Sequence, residues 1–127
     1  MLLVVNTATN CGLTKSNIKE LNELYDKYKE RGVKVLGFPS NDFKQELDCD
    51  TDIKEFVKKS NIEFDYFGKI KVNGDEADPL FKFLKEKQPG TFGNFIKWNY
   101  SKFLVDKNGV PVKRYSPTTS PNVSKKC

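Results

Sequence analysis

The N-terminal part of the chain places a periodic segment between two apolar runs, a pattern that predicts a strand, a helix and a second strand. Residues 2–6 form an apolar run with two adjacent valines, which is typical of a strand buried on both faces. Apolar side chains between residues 16 and 30 recur three and four positions apart, so this segment predicts an amphipathic helix that ends at Gly32. Residues 33–38 are again mostly apolar and predict the second strand. The three segments together predict a right-handed βαβ unit.

The middle of the chain predicts two further helices. Residues 51–59 have helical apolar spacing, and Asp50 with Thr51 is the expected cap. Pro79 is suited to the first position of a helix and is expected to start one that runs to residue 87. Between these helices, residues 70–72 are expected to form a short edge segment followed by a turn.

The last predicted element is a hairpin. Residues 102–105 and 110–115 are strand-like and flank Asn108–Gly109, a pair that strongly favours a tight turn. The order β-α-β-α followed by a hairpin is the core order of a thioredoxin-like α/β sandwich. We therefore expect an α/β fold with a central mixed β-sheet flanked by helices.

The composition excludes several kinds of catalytic site. The chain has no histidine, so a Ser-His-Asp triad, a Cys-His pair and a His-ligated metal site cannot form. Its cysteines, Cys11, Cys49 and Cys127, make no Cys-x-x-Cys pair, which argues against a structural zinc site and a dithiol oxidoreductase. No metal site is expected. Three cysteines leave at least one thiol unpaired, which favours a reducing compartment, and we expect a cytoplasmic protein.

The net charge of +5 and the pI near 9.0 permit an acidic partner without selecting one. The lysines are interspersed with acids, as on solvated helix faces, and no nucleic-acid-binding motif is present. Nucleic acid is therefore not an expected partner. The apolar run at residues 2–5 is far shorter than a membrane span.

Cys11 is the best candidate for chemistry because it follows a buried strand and precedes a helix. Reaction sites of open α/β sheets lie at this edge, and a helix N-terminus favours the reactive thiolate. On position alone, Cys11 as a small packed apolar residue is an equally open interpretation. Gln45 follows the second strand and Trp98–Asn99 precede the hairpin, so their N–H donors can meet the sulfur. Each also has a simpler interpretation, as a surface Gln, a core Trp and a turn Asn.

Three motifs resemble the glutathione peroxidase family. Residues 6–14 (NTATNCGLT) resemble its Asn-Val-Ala-Ser-x-Cys-Gly-x-Thr motif, which contains the peroxidatic Cys or selenocysteine. Residues 36–46 (LGFPSNDFKQE) and 98–106 (WNYSKFLVD) resemble its second and third motifs, and residues 113–115 a strand near its end. The compact stretch 72–81 is most similar to the monomeric phospholipid-hydroperoxide type.

This resemblance implies a catalytic tetrad of Cys11, Gln45, Trp98 and Asn99. It implies a thiol-dependent peroxidase that reduces lipid hydroperoxides, small organic hydroperoxides and hydrogen peroxide through a sulfenic acid on Cys11. Glutathione is the expected reductant and co-substrate, a membrane phospholipid is one expected substrate, and a monomer is expected. No metal or organic cofactor is implied, although the encoded residue 11 can be selenocysteine in this family.

The chain also departs from the family pattern. Ser40 and Asp42 replace a Cys and a Gln of the second motif without altering the four site residues. Thioredoxin-dependent members carry a resolving cysteine near the position of Val57, and a valine there favours an external thiol such as glutathione. The family's N-terminal hairpin and C-terminal helix are missing. We therefore expect residues 1–127 to form one thioredoxin-like domain truncated at both ends, from which a targeting segment could have been lost.

Two alternatives stay open at this point. The first is a thioredoxin-dependent peroxidase in which Cys49 serves as the resolving cysteine. The second is a truncated paralogue without turnover that acts in redox sensing or binding. An electropositive rim near Cys11 is expected to attract glutathione carboxylates or lipid head groups. Lys102 and Arg114 match basic positions of the family, but neither is assigned a substrate role.

Overall fold

The structure, a computed structural model, describes residues 1–90 and 93–118. The described residues form five strands and three α-helices around one sheet. The strands are β1 (Leu2–Thr7), β2 (Lys34–Pro39), β3 (Asp65–Tyr66), β4 (Lys102–Val105) and β5 (Pro111–Tyr115). The helices are α1 (Thr14–Tyr28), which continues as a 3₁₀ turn (Lys29–Arg31), α2 (Asp50–Lys59) and α3 (Pro79–Lys87).

The strand order in the sheet is β3-β2-β1-β4-β5. At the centre, β1 runs parallel to β2, with Val4 opposite Leu36, and antiparallel to β4, with Val4 opposite Phe103. The β2–β3 pair is parallel and the β4–β5 pair is antiparallel. The expected mixed sheet and the βαβ unit are therefore confirmed.

Each face of the sheet carries its own apolar core, because successive strand residues point to opposite faces. On one face, Leu3 and Val5 pack with Leu21 and Leu24 of α1. On the other face, Val4 packs in a second core whose members include Phe81, Leu84 and Phe103. Complete burial of an aliphatic or aromatic side chain of this size contributes about 1.5–3 kcal/mol. Because both of its faces are covered, β1 is a rigid base for the loop that follows it.

Two local predictions, the start of a helix and a hairpin turn, are confirmed. Pro79 is the first residue of α3, and the carboxylate of Asp78 accepts a hydrogen bond from the Leu80 N–H at 3.0 Å. In the hairpin, Gly109 adopts φ 79°, and the Asp106 carboxylate accepts hydrogen bonds from the backbone of the turn. The chemistry of neighbouring residues is sufficient to specify both the helix start and the turn.

One further prediction is wrong, and another is confirmed only in part. Cys49 rather than Thr51 occupies the N-cap position of α2 and makes no side-chain cap, while the Asp50 carboxylate accepts from Lys69 N–H at 3.4 Å. The expected edge segment at 70–72 is reduced to one bridge, between Ser40 and Ile70. The reason is that the Asp42 carboxylate accepts the next backbone N–H groups, those of residues 72 and 73, at 3.1 Å.

Three further points of the sequence analysis concern a membrane span, a metal site and Cys127. Among the described residues, no helix is long and apolar enough to cross a membrane. In the same part of the chain, no group of three or more Cys, Asp or Glu side chains could hold a metal ion. Cys127 lies outside the described residues.

Candidate functional site

Cys11 lies in the loop between β1 and α1, and its side chain is buried, with 8% of the residue exposed. Its Sγ accepts a hydrogen bond from the Leu13 N–H at 3.5 Å, and its carbonyl accepts one from the Thr14 N–H at 3.1 Å. Leu13 occupies the N-cap position of α1 and provides no side-chain cap. The N-terminal end of α1 therefore faces the Cys11 loop, with one backbone N–H in contact with the sulfur and a second bonded to the Cys11 carbonyl.

Buried hydroxyl groups fix the residues that precede Cys11. The Ala8 carbonyl accepts hydrogen bonds from Thr14 Oγ1 and from the Tyr100 hydroxyl, the latter at 2.9 Å. The Tyr66 hydroxyl donates to Thr7 Oγ1 at 2.6 Å. Burial raises the pKa of Tyr100 and of Tyr66 well above the usual range, so both hydroxyls stay protonated. The backbone that leads to the thiol is thus held from two sides.

Gln45 lies next to this loop and touches Asn99. Its carbonyl accepts the Asn10 N–H at 2.8 Å, and its Oε1 accepts Asn99 Nδ2 at 3.2 Å. Lys44, just before Gln45, and Tyr100, just after Asn99, adopt positive φ angles of 58° and 67°. A non-glycine residue in this conformation costs about 1–2 kcal/mol, which the surrounding contacts must offset. Two strained residues therefore flank two of the predicted site residues.

Trp98 lies on the surface of the same region. It is 38% exposed, and its ring lies 5.1 Å from the Phe43 ring. Its carbonyl accepts hydrogen bonds from Asn6 Nδ2 and Ser101 Oγ, both at 3.2 Å. Asn6 also accepts the Ser101 N–H through Oδ1 at 3.0 Å and the Tyr100 N–H through its carbonyl at 2.6 Å. The fully buried Asn6 thus joins β1 to the Trp98 segment.

Sequence reasoning did not single out Asn6. The available signal was its polar side chain within the apolar β1 run.

The structure brings some of the predicted residues together and leaves others apart. Gln45 contacts both Asn99 and the backbone of the Cys11 loop. Within residues 1–90 and 93–118, the hydrogen bond to Sγ comes from the Leu13 backbone and not from Gln45, Trp98 or Asn99. Gln45 and Asn99 therefore lie together next to the Cys11 loop, and Trp98 is joined to β1 through Asn6. Their catalytic roles stay predictions.

A cavity of about 450 Å³ opens beside Cys11, between α1 and α2. Ile18 and Phe56 are its apolar lining residues, and the exposed cations Lys15 and Lys19 also line it. A molecule that approaches the sulfur through this cavity meets apolar surface and two positive charges.

Cys49 is exposed and immediately precedes α2. The α2 residues that line the Cys11 cavity are Phe56 and, beyond it, Ser60. Seven residues of helix separate Cys49 from Phe56 by about 10 Å along the axis. Cys49 thus lies at the other end of α2 from the residues that share the cavity with Cys11.

Lys102 of the third motif and Arg114 of β5, the two residues that match basic positions of the family, contact backbone carbonyls. Lys102 is fully buried, and its Nζ donates to the carbonyls of Tyr100 at 3.0 Å and Pro117 at 3.4 Å. Burial lowers the pKa of Lys102 to about 8. The Arg114 guanidinium donates to the carbonyls of Gln88, Asn94 and Phe95. These contacts join β4 and β5 to the neighbouring loops.

Comparison with known proteins places this arrangement in context. The sequence model of the family described as Glutathione peroxidase matches residues 1–85. The chain is 54% identical over 123 residues to a "Probable phospholipid hydroperoxide glutathione peroxidase" of Citrus sinensis, covering 95% of this chain and 74% of that one.

Solved structures agree. The crystal structure of T. cruzi GPX1 is similar with a TM-score of 0.77 and 40% identity, over 98% of this chain and 77% of that chain. A thioredoxin-family thiol:disulfide interchange protein from Chlorobium tepidum matches with a TM-score of 0.71 and 17% identity, over 98% of this chain and 74% of that chain. The second match concerns the fold alone, which is thioredoxin-like as expected.

Proposed function

The chain belongs to the glutathione peroxidase family, whose members are thiol-dependent peroxidases that reduce hydroperoxides, and from this premise we propose that Cys11 is its peroxidatic residue. The observation that carries the proposal is the position of the thiol. It lies in the loop just before α1, where the Leu13 N–H points at the sulfur, and the Asn10 N–H binds this loop to the Gln45 carbonyl. Both features hold the sulfur at a fixed place next to the Gln45 segment, as positioned attack on a substrate requires.

The chemistry takes place in two half-reactions. The Cys11 thiolate attacks the terminal oxygen of the hydroperoxide, the O–O bond breaks, and the alkoxide takes up a proton to leave as an alcohol or as water. Cys11 is thereby oxidised to a sulfenic acid. One thiol then condenses with the sulfenic acid to give a mixed disulfide and water, and a second thiol attacks that disulfide and releases Cys11 as its thiolate.

Gln45, Trp98 and Asn99 are proposed to stabilise the negative charge that develops on the leaving oxygen. Asn99 donates to Gln45 Oε1, which fixes the Gln45 carboxamide and leaves its own N–H₂ group as a donor. The indole N–H of the half-exposed Trp98 adds a second uncharged donor. Loss of one such donor typically costs a factor of about 100 in rate.

Glutathione is proposed as the reductant. Lys15 and Lys19 line the cavity beside Cys11 and would attract a small thiol that carries carboxylates. A thioredoxin-dependent cycle through Cys49 is less well supported, because Cys49 precedes α2 whereas the cavity meets α2 at Phe56 and Ser60.

Phospholipid hydroperoxides are proposed among the substrates of a monomeric enzyme. The half-exposed Trp98 next to Phe43, together with the exposed Lys44, forms a rim that suits a lipid head group and acyl chain.

Mass spectrometry tests the proposal. The protein is treated with one equivalent of hydroperoxide in the presence of a sulfenic-acid trap and then with glutathione, and each cysteine is followed in its own peptide. We expect rapid trapping at Cys11 and its replacement by a glutathione adduct there. Equal and slow oxidation of Cys11, Cys49 and Cys127 would contradict the proposal, because a working site must favour one thiol.

A further inference from the structure

Glu46 is a buried carboxylate next to the Cys11 loop, with 6% of the residue exposed. Its Oε1 accepts three hydrogen bonds: from Thr9 N–H at 3.1 Å, from Thr9 Oγ1, and from Leu47 N–H at 2.8 Å. Two of these three donors belong to Thr9, which also lines the cavity beside Cys11. We call this contact the Thr9–Glu46 clamp.

The clamp acts beside a second hydrogen bond between the same two loops. The Asn10 N–H donates to the Gln45 carbonyl at 2.8 Å. Consecutive residues of one loop, Thr9 and Asn10, are therefore bound to consecutive residues of the other, Gln45 and Glu46. Two adjacent attachment points restrict rotation as well as distance, which a single hydrogen bond cannot do.

Burying the Glu46 carboxylate costs free energy of folding. Within the described residues, Glu46 Oε2 is buried and has no hydrogen-bond partner. A buried charge with one bare oxygen is less favourable than an apolar side chain of similar size. Burial is the main cause of the raised pKa of the Tyr66 and Tyr100 hydroxyls, and the nearby Glu46 carboxylate raises both slightly further. The hydrogen bonds from Thr9 to Oε1 therefore help to offset the cost of burying Glu46.

We propose that Glu46 is a positioning residue that holds the Gln45 carboxamide and the Cys11 thiol in the geometry needed for attack on a hydroperoxide. Glu46 acts through Thr9 on one side and through its chain neighbour Gln45 on the other, and it does not touch the substrate. The inference rests on the proposed function, because it assumes that Cys11 and Gln45 work together.

Two matched pairs of variants test the clamp. Thr9→Val removes the hydroxyl donor at nearly constant volume, whereas Thr9→Ser keeps it. Glu46→Met removes the acceptor, whereas Glu46→Gln keeps one oxygen for Thr9. For each variant, two rates are measured at Cys11 by peptide mass spectrometry, oxidation by a hydroperoxide and alkylation by iodoacetamide. Alkylation needs the thiolate but not the Gln45 amide, so the ratio of the two rates reports positioning.

We expect Thr9→Val and Glu46→Met to lower the ratio by about 10- to 100-fold, as small misplacements of reacting groups do, and Thr9→Ser and Glu46→Gln to stay within about threefold of the wild type. Loosening of the loop alone would change both rates together, and an unchanged ratio in Thr9→Val would overturn the inference. Should Glu46→Met not fold, the Thr9 pair decides the question.

The same measurements separate this inference from the proposed function. In the wild type, Cys11 should greatly exceed the exposed Cys49 in its ratio of oxidation to alkylation. Equal ratios at the two cysteines would overturn the role of Cys11 and the role of Glu46 with it. A high wild-type ratio that survives Thr9→Val would overturn Glu46 alone.

Discussion

The side-chain amide of Asn99 donates a hydrogen bond to Oε1 of Gln45 at 3.2 Å, across 54 positions of sequence. Asn99 is fully buried, and its own Oδ1 has no hydrogen-bond partner among the described residues. The contact links the loop after β2 to the segment before β4. It also sets the direction of the Gln45 carboxamide, whose N–H₂ group is the donor proposed to act in catalysis.

Gln45 and Asn99 should therefore behave as one unit. We expect Gln45→Ala to slow the oxidation of Cys11 by about 100-fold, and the Gln45→Ala/Asn99→Ala double variant to be at most about twofold slower than Gln45→Ala. The reason is that Asn99 acts through the carboxamide that the first substitution removes. Stopped-flow measurement of peroxide consumption gives the four rates, those of the wild type, Gln45→Ala, Asn99→Ala and the double variant, and fully multiplicative effects of the two substitutions would contradict the coupling.

Removal of the Tyr100 hydroxyl should cost stability. Tyr100→Phe deletes the 2.9 Å hydrogen bond to the Ala8 carbonyl, which keeps only its bond from Thr14. We expect the free energy of unfolding to fall by about 1 kcal/mol. Denaturant titration measures the change, with Tyr28→Phe on the half-buried side of α1 as the control. Equal losses in the two variants would show that the buried hydroxyl has no special role.

The stability of the protein should depend on pH through Lys102. Burial lowers the pKa of Lys102 from its ordinary 10.5 to about 8 in the folded state. Between these values the unfolded chain binds more protons than the folded one, so a rise in pH favours folding. The free energy of unfolding that the neutral Lys102 contributes at high pH is lost as the pH falls from 10.5 to about 8.

The wild type should consequently gain free energy of unfolding relative to Lys102→Met as the pH rises from 8 towards 10.5. The comparison with Lys102→Met cancels the titration of the buried tyrosines, which both proteins share. Lys107→Met, in the exposed hairpin turn, is the control and should show no such trend. A difference between wild type and Lys102→Met that does not vary with pH would contradict the buried lysine's titration.

The reduction step should depend on the charge of the cavity. We expect Lys19→Gln to slow the reaction of oxidised Cys11 with glutathione several-fold, and added salt to reduce the effect, because the attraction is between exposed charges. The reaction with the neutral thiol 2-mercaptoethanol should be unchanged, and so should both reactions in Lys107→Gln. Equal slowing with both thiols would mean that Lys19 acts on the site and not on the reductant.

Cys49 should be dispensable for turnover with glutathione. We expect Cys49→Ser to keep the wild-type rate with glutathione, because Cys49 lies at the opposite end of α2 from the cavity-lining residues. Coupled assays with glutathione and with thioredoxin compare the two reductants. Loss of a thioredoxin-dependent rate on substitution of Cys49 would support the alternative in which this cysteine resolves the sulfenic acid.

The sequence by itself determined those features that depend on neighbouring residues. The apolar period predicted β1, α1 and β2, the Pro79 position predicted the start of α3, and Asn108–Gly109 predicted the hairpin turn. The motif around Cys11 identified the family. These signals are readable because burial period, turn conformation and local motif spacing are properties of consecutive residues.

Only the tertiary structure decided the partners of the polar side chains. The hydrogen bonds of Glu46 to Thr9, of Asn99 to Gln45 and of Asn6 to the Trp98 segment span between 37 and 92 positions. The short strand β3 has no apolar period of its own and exists because β2 offers it an edge. A hydrogen-bond donor in a sequence carries no mark of which acceptor it will meet. That choice is made when the two cores pack on β1 and bring the loops at its end together.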